Sequence, residues 1–459
     1  MGKSLQGKYS IDMCTGSVYG KMLRFALPLM LSGILQLLFN AADIIVVGNF
    51  AGDESLAAVG ATTTIINLTV TLFIGLSVGV NVLTANYFGA GMADDVKSTV
   101  HTAMAVSVVS GIFLTVIGIA FAPQILHMMK VPDDVIDLSV IYLRTYFSGM
   151  IAVMVYNFGS AVLRAVGDTQ RSLYFLTASG IINVGLNLIF VIVFHWGVFG
   201  VGLATVISQV VSAALVVITL MKEKSAIKLS LNELKIDKHK LLRIIQIGLP
   251  AGLQGMLFSF SNLLIQSSVN SFGKIVIAGN SASANVEGFA FTAMNAFHQG
   301  AVAFTGQNMG AGRYDRIGKI LRTSLIYVFI TGLLFAVVYN VFSYELIDLY
   351  TNSEEVIKAG VTRLIIIATA YFLAGMMDVV VGAIRGLGYS VVPMIVSVFG
   401  ICVFRVFWIF CIFSQEQYHT IESIYYSYPI SWILTLSVQL ICYFVIKVKV
   451  VDKKRKTGP

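Results

Sequence analysis

The chain has 459 residues, 57% of them hydrophobic and only 12% charged, with a formal net charge of +8. A soluble domain carries about twice that charged fraction, so the composition excludes one and leaves a membrane protein. Four cysteines (Cys14, Cys402, Cys411 and Cys442) stand without C-x-x-C or Cys/His ligand spacing, which supports neither a disulfide framework nor a zinc site.

Taken in chain order, Lys3, Lys8 and Lys21 precede an apolar run that continues past Pro28 to Val47. That run is too long for the core of a signal peptide, so it reads as a first membrane helix over 22–47. Further apolar segments lie at 56–86, 97–122, 135–163, 172–194 and 198–221. A second set follows at 241–270, 278–308, 316–343, 356–384, 391–413 and 425–449. The expected fold is therefore all-α and polytopic, with twelve transmembrane helices in two six-helix bundles.

The two sets are versions of one unit. Pro28, Asn40 and Phe50 recur as Pro250, Asn262 and Phe272, each 222 residues on. Gly89-Ala90-Gly91 with Asp94, Phe121, Val135-Ile136, Arg164 and Gly167 return 221 residues later, as Gly310-Ala311-Gly312 with Asp315, Phe342, Val356-Ile357, Arg385 and Gly388. A period this long excludes solenoid repeats, which run to roughly 20–50 residues. Because six is even, both halves enter the membrane from the same side, giving a parallel repeat of the kind transporters use. The expected segments are 1–21 as an N-terminal segment, 22–221 as a first lobe, 222–240 as a basic linker, 241–449 as a second lobe and 450–459 as a basic tail.

Basic residues gather on one set of connections: Arg164 and Arg171; Arg313, Arg316 and Lys319; Arg385; and six lysines between Lys222 and Lys240. The tail adds Lys447, Lys449, Lys453, Lys454, Arg455 and Lys456. The opposite connections carry Asp53, Glu54, Asp133, Asp134, Glu345, Asp348, Glu354, Glu355, Glu416 and Glu422 against only Lys130 and Lys274. By the positive-inside rule both termini and the linker are cytoplasmic, and the net charge is a topology signal rather than a nucleic-acid surface. Attraction of the linker to anionic headgroups is the functional alternative. No G-x-x-x-x-G-K-[ST] pattern occurs, so pumping must draw on an ion gradient. Asp and His residues nowhere adopt H-E-x-x-H or comparable spacing, and no enzyme is expected.

An ionisable side chain inside a membrane helix costs roughly 2.5–3.5 kcal/mol on insertion scales, so each needs a partner, a cavity or a role. The first segment carries Gln36, Asn40 and Asp43 as one polar stripe at helical spacing. Asp43 is either a helix-end cap or a functional acid. Asn183 and Asn187, i and i+4 in the fifth segment, either glue helices or join Asp43, and Thr205 in the sixth either bonds its own backbone or joins them. Together these four would offer an oxygen-rich set for a hard cation, or a carboxylate for a proton. The second half has Glu287, His298, Asp378 and Arg405 instead, and Asn157 stands where Asp378 falls in the repeat. This asymmetry assigns Gln36, Asn40, Asp43, Asn183, Asn187 and Thr205 to the coupling ion. It assigns Glu287, Asp378, His298 and Arg405 to cargo, with Arg405 alternatively a counter-ion and His298 alternatively a core residue or a proton relay.

Several stretches resemble the multidrug and toxic compound extrusion (MATE) family. They are Phe25 to Pro28, Leu38 to Asp43, Val47-Gly48, Leu56 to Gly60, Leu163 to Asp168, Asn183 to Asn187, Gly200 to Thr205 with Ser208-Gln209, and Gln307 to Arg313. The resemblance covers about 20–450 and implies a twelve-helix, V-shaped, two-lobed carrier in the cell's inner membrane. Such a carrier exports cationic amphipathic compounds by H+ or Na+ antiport through alternating access. It implies no cofactor beyond the coupling ion, a monomer in the lipid bilayer, and no nucleic-acid partner. Asp43 matches the family's ion-coupling aspartate, and Asn183 and Thr205 match its N-lobe cation site. Asn187 departs from the aspartate of related members, and one anionic ligand fewer weakens a Na+ site formed by Asp43, Asn183 and Asn187. Glu287 resembles an acid of the eighth helix, whereas the seventh-helix glutamate of one branch is absent near Gln254 and Ser259. A flippase for lipid-linked saccharide shares the superfold and stands as the alternative. With Arg405 as the main intramembrane cation, the exporter is favoured.

Overall fold

A computed structural model describes residues 9–129 and 131–456, with side chains through 450. Lys3, Lys8 and Lys130 lie outside the described residues, as do the side chains of Lys453, Lys454, Arg455 and Lys456. No strand occurs among the described residues.

Among the described residues, twelve long helical stretches follow the apolar segments. The first repeat holds α1 (Val18–Phe50), α2 (Asp53–Ala90), α3 (Ala93–Met128), α4 (Asp133–Ser148 with Met150–Ala165), α5 (Gln170–Val193) and α6 (Gly197–Lys222). The second holds α7 (Lys238–Asn270), α8 (Lys274–Gly310), α9 (Tyr314–Val341), α10 (Glu354–Ala368 with Tyr371–Gly386), α11 (Val391–Phe413) and α12 (Ile421–Lys456). Nine are single helices long and apolar enough to cross a bilayer, and α4 and α10 qualify as bent pairs. Helix α8 has the length, at 37 residues, but Asn280, Glu287, Asn295, His298 and Gln299 interrupt its apolar character. It is therefore a span whose polar face must be buried in protein.

The duplication reaches into the backbone. Bends of 45° and 44° break α4 and α10, at Gly149 and at Ala370 respectively, 221 residues apart. Wide π turns recur at Leu188–Val193 and Trp408–Phe413. Left-handed glycines close the same turns in both repeats: Gly52 and Gly273 (φ 86° and 91°), Gly91 and Gly312 (76° and 69°), Gly167 and Gly388 (88° and 92°). Other residues resist that conformation, so these glycines fix where the chain turns from one helix into the next. Acidic pairs at the starts of α2 (Asp53, Glu54) and α4 (Asp133, Asp134) meet the positive end of the helix dipole.

The chain forms two compact units. One contains Met1–Asp12 and Leu31–Gly252, and the other Met13–Met30 and Leu253–Pro459. They do not coincide with the expected lobes at 22–221 and 241–449, because the first parts of α1 and α7 are exchanged. Each exchange falls just beyond a repeat-related proline, Pro28 or Pro250, where a missing N–H weakens the helix ladder. Packing holds the exchanged parts in place. In the second unit, Phe25 meets Phe304 edge-on at 5.7 Å, and Asn308 donates to the Met13 carbonyl at 3.0 Å. In the first unit, α7 lies so close to α2 that a Cβ on Gly75 would sit 2.2 Å from Gly252 Cα.

The basic linker is more than a charge signal. It is strapped along the start of α3: His101 Nε2 accepts from the Ser230 amide, Thr102 Oγ1 accepts from the Asp237 amide, and Lys97 pairs with Glu233. Asp237 then caps α7, taking the amides of Lys240 at 3.1 Å and His239 at 2.8 Å. Those amide bonds, from Lys240 first, hold its carboxyl below the usual range. Lys240 packs its ammonium against the Tyr87 ring at 3.8 Å and pairs with Asp95.

Candidate ion and cargo sites

In the first unit the α1 stripe divides. Gln36 and Asn40 are exposed, whereas Asp43 is half-buried against α5. Asn187 Nδ2 donates to Asp43 Oδ1. With its amide nitrogen turned to the carboxylate, Asn183 donates to Oδ1 at 2.8 Å and Oδ2 at 3.1 Å. The i, i+4 spacing thus sets both amides on one acid, and Asp43 does not face lipid unaided. Both asparagines are buried, at 6% and 0% exposure, and Asn187 Oδ1 has no hydrogen-bond partner. That orphaned acceptor, on the same amide that donates to the carboxylate, is open to a proton donor or a hard cation. The Thr205 hydroxyl donates to the Val201 carbonyl at 3.0 Å within its own helix.

The second unit resolves the four expected cargo residues differently. Glu287 is 4% exposed and engaged on both oxygens by Arg363, from Nε and Nη2 at 3.0 Å each. Arg363 Nη1 also donates to Asn280 Oδ1 at 2.6 Å, and Ser283 donates to Glu287. Arg405 is not the counter-ion of a carboxylate among the described residues. Its Nε donates to Ser431 at 3.0 Å and its guanidinium stacks on Tyr428 at 3.9 Å. His298 Nδ1 meets the backbone carbonyl of Asp378 at 2.6 Å, tying α8 to α10. Among the described residues the Asp378 carboxylate makes no hydrogen bond or ion pair.

Two arginines correct the sequence reading. Arg363 escaped notice although it lies inside the apolar stretch 356–384, where the cost of burying a charge was the available signal. Arg385, counted among the loop cations, instead occupies the last turn of α10. It is 6% exposed and donates to Gln254 Oε1 at 2.9 Å. Among the described residues no three His, Cys, Asp or Glu side chains gather to hold a metal ion.

An all-helical membrane protein of two six-helix repeats, with buried acids in each, is the architecture of a secondary transporter. A family model confirms the class: MatE matches residues 28–189 and again 250–410, once per repeat. The chain belongs to the MATE family of multidrug efflux transporters. Similar relatives include the probable multidrug resistance proteins YoeA and YpnP of Bacillus subtilis (strain 168), each 28% identical. YoeA is matched over 84% of this chain and 85% of its own length, and YpnP over 86% and 88%. Among solved structures, an outward-facing multidrug resistance MATE transporter superposes with a TM-score of 0.91. At 19% identity, it covers 98% of this chain and 100% of the other. That likeness concerns the fold.

Proposed function

We propose that this protein exports cationic amphipathic compounds across the cytoplasmic membrane in exchange for H+ or Na+, both termini facing the cytoplasm. The observation that carries the reading is the Asp43 carboxylate held by Asn183 and Asn187 inside an apolar helix bundle. A bare buried acid is costly, and this one is arranged to be loaded and unloaded. Loading Asp43 in one state of an alternating-access cycle would bias that state toward release of cargo. A ligand bound equally by both states would shift nothing.

On the cargo side, Asp378 is the better acid for a cationic compound, because Glu287 is already committed to Arg363. Relatives named for multidrug resistance support this substrate class. Ethidium transport into everted vesicles, driven by a pH or Na+ jump, tests the reading. Wild type should accumulate the dye, and Asp43→Asn at equal expression should not. Full transport by Asp43→Asn would remove the coupling role.

One observation favours a second reading. Arg363 and Arg405 both lie over the Tyr428 ring, at 5.7 and 3.9 Å, with Glu287 paired to Arg363 alone. Arg405, the main intramembrane cation expected, is thus joined by Arg363, and its own guanidinium, without a carboxylate partner, suits an anionic headgroup. Translocation of a fluorescent lipid-linked saccharide in proteoliposomes, without ethidium efflux, would favour a flippase.

A further inference from the structure

A cleft in the second unit, separate from the buried acids, has the shape and charge of a lipid site. It holds about 830 Å³ between α1, α9, α10 and α12. On α9 its lining runs Lys319, Arg322, Ile326 and Phe329, at steps of three, four and three along one helical face. On α12 it runs Lys447, Phe444 and Leu440, the same face in the opposite chain direction. Both helices therefore place their cations at one end, where α9 begins and α12 finishes, and apolar side chains further into the span. Lys447 Nζ lies 2.8 Å from where a Cβ on Gly318 would stand, so this glycine lets the ammonium settle against α9. Lys319 Nζ is 5.8 Å from the centre of the Tyr19 ring.

Three cations face one acid, Asp315, and that acid is paired outward with Arg313 at 3.4 Å. Among the described residues, Lys319, Arg322 and Lys447 form no ion pair. Deeper in, Ile326, Phe329 and Phe444 are 40%, 40% and 57% exposed, an apolar surface that continues the cleft beyond its cations. A free anion would satisfy the cations and ignore that surface. We infer that the cleft binds an anionic glycerophospholipid, its phosphate held by Lys319, Arg322 and Lys447 and its acyl chain lying along Ile326, Phe329 and Phe444. Basic pockets between membrane helices recognise such headgroups by Coulomb attraction at the bilayer surface. The site is independent of the efflux reading, because it would hold the lipid whether the carrier moves drugs or saccharides.

The test uses the purified full chain in detergent, with lipid retention read by native mass spectrometry. Wild type should keep phosphatidylglycerol in preference to phosphatidylcholine. The triple variant Lys319→Gln, Arg322→Gln, Lys447→Gln should bind phosphatidylglycerol roughly a hundredfold more weakly, as loss of three interfacial cations implies. Its elution as a monodisperse species with unchanged Tm in phosphatidylcholine shows that it folds. If it does not fold, Phe444→Ala with Phe329→Ala provides the second variant, expected to weaken lipid but not charge-driven adsorption. Equal retention of phosphatidylglycerol by wild type and folded variants overturns the site. Displacement of the lipid by millimolar inorganic phosphate alone overturns the lipid assignment.

Discussion

At the scale of single residues, chemistry here depends on which acids already have partners. Asp43 takes two amides, Glu287 takes a guanidinium on both oxygens, and Asp378 takes neither. Asn187→Asp would set a second carboxylate beside Asp43, and two acids sharing one site favour a cation between them. Ethidium efflux of that variant should gain Na+ dependence, and an unchanged Na+ response would place the ion elsewhere. Arg363→Leu would strand Glu287 as a buried charge, at a cost of about 3–5 kcal/mol. Its Tm should fall steeply, whereas the double variant Glu287→Gln, Arg363→Leu should recover much of the loss. A double-mutant cycle with no coupling would deny the pair its structural weight. The acids were legible in the sequence because ionisable residues stand out in apolar runs. Their partners were not, because Glu287 and Arg363 are 76 residues apart and on different helices.

At the scale of elements, small residues decide how close helices come. Helix α7 approaches α2 so that a Cβ on Gly252 would meet the Leu72 carbonyl at 2.2 Å, and one on Gly79 would meet the Ile244 carbonyl at 2.3 Å. Small-residue contacts of this kind let membrane helices gain dispersion energy where no hydrophobic effect separates them from lipid. Gly252→Ala should therefore force the helices apart and cost about 1–3 kcal/mol or more, read as a lower Tm in detergent. A Tm equal to wild type would mean the helices can shift freely. Helix existence was plain from hydropathy, while helix ends overran the apolar segments: 56–86 became Asp53–Ala90. The added residues are Asp53, Glu54 and Ser55 at the start and Tyr87 to Ala90 at the finish, where hydrogen bonding continues to the left-handed Gly91.

At the scale of the whole molecule, one unit is written twice and its copies have diverged in their buried polar residues. The positive-inside pattern predicts which face each loop occupies. In a background lacking the four native cysteines, Lys224→Cys should react with a membrane-impermeant maleimide only in everted vesicles, and Asp134→Cys only in intact cells. Labelling of both from one side would break the proposed topology. The linker carrying Lys224 also shows where charge counting stopped short. Its lysines were read as an address, yet it is bonded residue by residue to α3 through His101, Thr102 and Ser98.

By itself the sequence determined the membrane environment, the number of spans, the duplication and the family. The first three follow from local composition or from recurrence at a fixed spacing and the family from the resemblance of its motifs, and all survive any arrangement of the helices. The tertiary structure alone decided the exchange of helix parts at Pro28 and Pro250, the bonding of the Thr205 hydroxyl within its own helix, and the pairing of Glu287 with Arg363 rather than Arg405. Those outcomes depend on which faces of different helices meet, and a helical period fixes a residue's direction around its own axis without naming what stands opposite.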